Sequence, residues 1–396
     1  MAFTLATERS ATAPPAAATG PDWTSLGRPS PLTAAEERIA LTGVLARRFN
    51  PAMAFPHRDL WPVDVRYSWH DGADLVARVI DGNGRPIRQS VAVRHADLGS
   101  TPWAHLPSRD ADGNRIQYVV DAPGDDRPQS GMTGWRRRWH QIVGDDVDDD
   151  TLTGSRYPPT QYAHLFWLNR ERGLLGVQYW FYYPFNEWIN RHEGDWEHID
   201  VILQGPSQLT EDDAAWKVAG YQFYFHGWSY QPSRVLRVGG AAGDDHVVVF
   251  TGGHGRFLRW SGSYSGGSYP LPALFPAVGA GTHKLRPAED TRRPQRFIAA
   301  RDFTVVVLPE PERLDARATP HLSWLRLDFF AGNSADVHGN PFLLDWLNHS
   351  KGPPLQPGHH RDWNRIGMRP VWRHAHRIRV GTVALPKTWA RQRLLL

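Results

Sequence analysis

The 396-residue chain carries 45 Lys and Arg against 41 Asp and Glu, a formal net charge of +4, with 41% hydrophobic and 22% charged residues. That balance excludes a disordered chain, and the length accommodates one elaborated domain or two, with a sizeable core. The absence of cysteine excludes thiol catalysis, cysteine-ligated zinc, iron–sulfur centres and disulfides.

Acidic and basic residues are interspersed along the chain rather than concentrated, so no nucleic-acid partner is expected. Thirty-six glycines and 32 prolines punctuate runs of bulky and β-branched residues, the pattern of β-structure with many turns. The 18 tryptophans supply large apolar bodies with one donor each, suited to a sandwich core and to aromatic-lined surfaces.

In chain order, residues 1–30 read as a flexible leader rich in Ala, Pro, Thr and Ser. The leader has no cationic start followed by an apolar stretch, and no run of the chain reaches the roughly 18 apolar residues of a transmembrane segment. The expected location is cytoplasmic, or outside the cell by an export route without a signal peptide. Residues 31–150 read as a short helix followed by a β-rich elaboration. Thr33 and Glu36 have capping-box spacing, and Leu41, Val44, Leu45 and Phe49 recur at helical spacing up to Asn50 and Pro51. Residues 75–80 and 89–93, on either side of an Asp-Gly-Asn-Gly turn, predict a hairpin. Residues 110–114 resemble a calcium loop, but Arg115 stands at the sixth position and Asp121 at the twelfth, so a turn is expected. An acidic run at 144–150, directly after a basic aromatic cluster at 135–139, marks the boundary of a third segment, 151–396. Strands are predicted there over 176–183, 197–203, 219–225, 246–250 and 303–308. The fold class is all-β, an antiparallel β-sandwich with long loops.

The densest chemical signal lies in residues 178–198. Strand alternation places Asp195 and Glu197 on one side with Ile199, Val201 and Leu203, so two carboxylates stand at the mouth of an apolar face. They repel each other and lose solvation there unless a cation, a proton or an arginine relieves them. A divalent cation would find a further ligand in His192 and an amide oxygen in Asn186. Such an oxygen-rich set with one imidazole favours Ca²⁺, Mg²⁺ or Mn²⁺ over Zn²⁺. Trp196 occupies the place of the second histidine of H-E-x-x-H, which excludes that zinc motif. Arginine pairing of the two carboxylates remains the competing reading. A serine-hydrolase elbow is unsupported, since no G-x-S-x-G occurs.

The string YWFYYPFN followed by RHEGDWEHIDVIL resembles the signature of Vps62-related proteins. Segments at 47–65, 156–167 and 246–257 resemble the same pattern in the same order, so the resemblance spans roughly residues 47–372. The string is also similar, more distantly, to the GHRHDWE heptapeptide of the NPP1-type necrosis-inducing cytolysins. These resemblances imply a β-sandwich. The cytolysin resemblance further implies a divalent cation beside a cavity that receives sphingolipid sugar headgroups. His192, Asp195 and Glu197 match the cytolysin motif by position, whereas Asn186 replaces an aspartate and lowers the charge of the site. His254 resembles a second histidine segment of the Vps62-like pattern, and residues 225–229, with His226 and Trp228, depart from the related text.

Two functions are expected from this. The first is a divalent-metal-dependent protein, cytolysin-like or membrane-associated, that binds the polar headgroup of a lipid or a glycan. Tyr183, Trp196, His226 and Trp228 would be its ligand-binding residues, with a peripheral membrane contact. The alternative is a metal-assisted hydrolase of a phosphodiester, ester or glycosidic bond, with His254 or His198 carrying protons. A cation that merely ties loops together is a third option.

Overall fold

Long apolar runs joined by tight turns favour strands that pair with their chain neighbours, and the core of this protein is built that way. The computed structural model describes residues 28–55, 61–69, 74–82, 86–94, 106–121, 139, 157–186, 192–225, 228–231, 235, 237–239, 245–252, 267–269, 296–315, 318–326, 329–330, 352–355, 363–366 and 394–395. The first strands are β1 (Ser30–Pro31), β2 (Ala52–Phe55), β3 (Asp74–Ile80), β4 (Pro86–Val93) and β5 (Arg115–Asp121). The central ones are β6 (Thr160–Asn169), β7 (Leu174–Asn186), β8 (His192–Gln204), β9 (Lys217–Phe225) and β10 (Trp228–Tyr230). They are followed by β11 (Arg237–Gly239), β12 (Asp245–Gly252), β13 (Gly267–Tyr269) and β14 (Arg296–Ile298), then β15 (Thr304–Val307), β16 (Phe329–Phe330) and β17 (Leu394–Leu395).

Among the described residues these strands form three sheets. The first has seven strands in the order β1-β6-β7-β8-β9-β10, with β15 beside β6. The second has six, β14-β2-β12-β11-β17 with β13 on β12, and the third has four, β16-β5-β3-β4. Pairing is antiparallel except for β15 on β6, β12 on β2 and β16 on β5. The protein is all-β, as expected. The second sheet packs onto the first: Tyr183 Oη donates to Met53 Sδ at 3.4 Å, Gln161 Nε2 donates to Pro51 O at 2.8 Å, and Val247, Val249 and Ile298 share one core with Tyr179, Ile199 and Val201.

All five strands predicted in the third segment are present, as β7, β8, β9, β12 and β15. Strand β6 is an addition. It is buried on both faces along nearly its whole length, so it offers no apolar–polar alternation to read. The predicted hairpin is β3–β4. The Asp110 loop is a turn, its carboxylate accepting from the backbone N–H of Asp112 at 3.0 Å and of Asn114 at 2.8 Å. The capping box is formed, with Glu36 N donating to Thr33 Oγ1 at 3.3 Å and Thr33 N to Glu36 Oε2 at 2.9 Å. The helix it opens is shorter than the spacing predicts. It divides into α1 (Ala34–Ala40) and α2 (Val44–Arg48), because Gly43 adopts a left-handed φ of 73° between them. A third helical turn is α3 (Arg66–Trp69).

Strands β1 and β2 belong to the first and second sheets, so residues 30–55 are woven into the same core as the later strands. The third sheet collects residues 74–121 with β16. The leader up to residue 27 and the acidic boundary at 144–150 lie outside the described residues.

The β6–β7 turn depends on one glycine. Gly173 has φ +63°, and a Cβ there would fall inside the Gly205 carbonyl oxygen, whose own N–H donates to Gly173 O at 2.9 Å. Gly173→Ala is expected to cost more than about 2 kcal/mol in chemical denaturation; a loss under about 0.5 kcal/mol would contradict this account of the turn.

Candidate functional site

The β7–β8 hairpin pairs continuously from Leu174↔Gln204 to Asn186↔His192. Because side chains alternate, Asp195, Glu197, Ile199, Val201 and Leu203 lie on one face with their partners Tyr183, Phe181, Tyr179, Val177 and Leu175. This is the inner face of the sandwich, where Tyr179 Oη donates to Ala46 O at 2.9 Å. Along it the burial deepens from Asp195, half-buried, to Glu197, only 3% exposed. Burial pushes the Glu197 carboxyl well above the usual carboxylate range, and the neighbouring Asp195 charge pushes it further. Burial and the Asp195 charge thus both disfavour a negative charge on Glu197.

Gly194 has φ +59°, and the pairing continues in register across it to Phe185↔Glu193. Beyond it Glu193 is also buried, 2% exposed. The Tyr182 hydroxyl is pushed upward first by burial, against a hydrogen bond with Ser68, and then by the charges of Glu193 and Asp195. Sequence reasoning missed Glu193. The available signal was its place two positions before Asp195 in the same strand, the spacing that singled out Asp195 and Glu197. His192 and Asn186 are backbone partners at the end of the hairpin that adjoins the β7–β8 connection, and their side chains lie outside the described residues.

Trp196 and His198 point the other way, so the sheet itself separates them from the carboxylate pair. Trp196 is 1% exposed and packs against Tyr162, Tyr182 and Trp324, with ring centroids 5.5, 4.9 and 5.7 Å away. His198 is fully buried, stacked between Trp180 at 4.0 Å and Tyr224 at 3.8 Å. Tyr183 does share the Asp195 face, but it is buried and donates to Met53. Trp228 begins β10 opposite Phe225, and its side chain, like all of His226 and His254, is outside the described residues.

A second polar feature crosses the opposite face. His164, Gln178, Asp200 and Gln222 are cross-strand partners in a row over β6, β7, β8 and β9, each at most 2% exposed. Tyr224 Oη donates to Asp200. Residues 363–366 cover the His164 end. The Trp363 ring stacks on His164 at 3.6 Å, Asn364 Oδ1 lies 2.9 Å from His164 Nε2, and Gln178 Nε2 donates to Arg365 O at 3.2 Å. Glu310 fastens the cover by accepting from Trp363 Nε1 at 3.0 Å and Asn364 Nδ2 at 2.8 Å. Burial holds the His164 imidazole below its usual range, against the upward pull of the Glu310 charge. Only register reveals that these four residues, each among other polar or aromatic residues of its strand, align in a row.

Among the described residues, no three His, Asp or Glu side chains converge as a metal-ligand group, and no helix is long and apolar enough to cross a membrane. No family model and no curated protein matches the chain in sequence. The Vps62-related resemblance therefore rests on the quoted strings alone. Two solved structures are similar to the chain. One is the non-toxic HaNLP3 protein, at 13% identity and a TM-score of 0.25, over 63% of this chain and 73% of that one. The other is Necrosis and Ethylene inducing Protein 2 from the causal agent of cocoa's Witches Broom disease, at 14% identity and a TM-score of 0.21, over 59% and 68%. Likeness at this level carries no argument about what the chain does.

Proposed function

We propose that the chain is a divalent-cation-dependent protein that binds the polar headgroup of a lipid or glycan. Asp195 and Glu197 would be the acidic ligands, completed by His192 and the Asn186 amide at the end of the β7–β8 hairpin that adjoins its connection. The observation that carries this reading is the sharing of one face by two adjacent carboxylates, one of them wholly buried, with its carboxyl pushed well above the usual range by burial first and by the charge of the other second. A hard cation relieves that conflict with oxygen donors, and Ca²⁺, Mg²⁺ or Mn²⁺ suits the donor set. Hydroxyl groups of a headgroup would supply further oxygens to the same ion.

Neighbouring elements support a site at this end of the sheet. Strand β13, which pairs with β12, lies against β8 and β9, and the β12–β13 connection contains His254. Headgroup binding asks only for an open coordination position. Hydrolysis asks in addition for a proton carrier on the carboxylate face, and His198 stands on the other one.

Isothermal titration of Ca²⁺, Mg²⁺ and Mn²⁺ into the wild type is expected to give saturable heat with at least one ion, lost in Asp195→Ala. Liposomes bearing sugar or phosphate headgroups should then bind only in the presence of that ion. Absent heats in both proteins, with liposome binding unaffected by chelator, would overturn the proposal.

A further inference from the structure

Residues 363–366 lie across the His164 end of the polar row, and the first two of them are held by one buried pair, His164 and Glu310. The His164 ring is 2% exposed, stacked on Trp363 at 3.6 Å and parallel to Phe166 at 6.3 Å. Its Nδ1 lies 3.3 Å from Leu308 O and its Nε2 2.9 Å from Asn364 Oδ1. Glu310 Oε1 is 3.5 Å from Nε2, and the carboxylate already accepts from Trp363 Nε1 and Asn364 Nδ2. Both ends of the Asn364 amide are thus engaged by the pair. Asn364 has φ +57°, and no other non-glycine residue among the described ones is left-handed. A side chain crowds the backbone in that conformation, so the two side-chain bonds hold Asn364 against local strain. Ile366 is anchored separately, among Phe166, Leu168, Leu174 and Ile202.

We propose that residues 363–365 form a proton-released strap, which closes over the neutral His164 imidazole and lifts when that ring is protonated, opening the His164 end of the polar row to solvent. Four charged groups bear on the ring from the elements around it. Glu310 follows β15, and its backbone N–H donates to Glu37 Oε2 at 3.0 Å, so its place does not depend on the strap. Arg313 is paired with the same Glu37 at 3.1 Å. Arg365, on the strap, is exposed, and Asp200 lies beyond Gln178 in the row, accepting from Tyr224. A second proton would put a full charge on a ring enclosed by aromatic side chains, beside a carboxylate whose two oxygens already serve other donors. Lifting Trp363 and Asn364 lets water reach the imidazolium, frees Asn364 from its left-handed conformation and leaves Glu310 on its Glu37 anchor. The proton therefore binds the lifted form more tightly and shifts the population towards it. In keeping with this, burial lowers the imidazole from its ordinary value of 6.5 by more than the Glu310 charge raises it.

Hydrogen–deuterium exchange of the full chain between about pH 7.5 and about pH 5, corrected for the intrinsic pH dependence of exchange, reads the lifting directly. Protection of residues 363–365 is expected to fall by up to about tenfold per pH unit below about 6.5, then to level off once the enclosed ring is itself protonated. Protection of β7 and β8 should stay constant over the same range. In His164→Gln, which cannot gain the proton, protection of the strap should not change with pH. Nuclear magnetic resonance titration of the wild-type imidazole gives a second readout that holds even if this variant fails to fold. The ring should titrate below its ordinary value, at the pH where the loss of protection levels off. Protection that holds or rises as the pH falls, or that falls as steeply in His164→Gln, overturns the proposal, as does an imidazole that titrates above its ordinary value.

Discussion

Glu197→Gln is expected to stabilise the cation-free protein at about pH 8 and to abolish its response to divalent ions. The sign follows from the buried carboxyl. Its folded-state proton affinity is raised by burial and by Asp195, while the unfolded chain ionises near the ordinary value of 4.5. Between those values the native state holds a proton that the unfolded state has released. Stability contributed by that proton is complete below the unfolded value and is lost as pH rises towards the folded one, by up to about 1.4 kcal/mol per pH unit. Glutamine keeps the shape and never ionises, so the fall disappears. Urea denaturation in chelator between about pH 5 and about pH 8 should show the slope in the wild type and not in the variant. Added Ca²⁺, Mg²⁺ or Mn²⁺ should flatten the wild-type slope by taking the proton's place. Parallel curves for the two proteins would contradict this account of Glu197.

Trp196→Ala is expected to cost about 3–5 kcal/mol of folding stability, the largest loss of any substitution in the motif. The indole is buried among Tyr162, Tyr182 and Trp324, and its removal leaves a large void beneath the strand that carries Asp195 and Glu197. Trp196→Phe should recover much of the loss by refilling the space. Any cation affinity should then follow the folded fraction: retained in Trp196→Phe, lost in Trp196→Ala only as the protein unfolds. A folded Trp196→Ala with wild-type stability would place this side chain outside the core.

The alternation that made the carboxylate pair legible also contained the information that separates its neighbours. Asp195 and Glu197 occupy odd positions above the apolar Ile199, Val201 and Leu203, and the register confirms that grouping. Trp196 and His198 occupy the even positions between them, so the same count sends them through the sheet to an aromatic layer. Reading the motif as one cluster of chemical groups obscured that division. Burial was less legible: Tyr183 lies on the Asp195 side, yet the second sheet covers it through Met53.

Long-range pairing was the part the sequence concealed. Strand β6 is apolar on both faces and pairs with β15 in parallel across more than a hundred residues, a contact that no local pattern announces. The cover over His164 is equally remote, reaching it from Trp363 and Asn364. Local signals fared better where a single backbone requirement governed the outcome. The Thr33–Glu36 capping box and the Asp110 turn both form, because each satisfies nearby N–H groups at fixed spacing.

Elemental analysis of the purified protein, with and without prior chelation and reloading, tests the cation most directly. The account predicts roughly one equivalent of Ca²⁺, Mg²⁺ or Mn²⁺ per chain, removed by chelator, regained on reloading and absent from Asp195→Ala and Glu197→Gln. Protein that stays free of metal after reloading, with an arginine guanidinium seated between the Asp195 and Glu197 oxygens in a crystal structure, would contradict it.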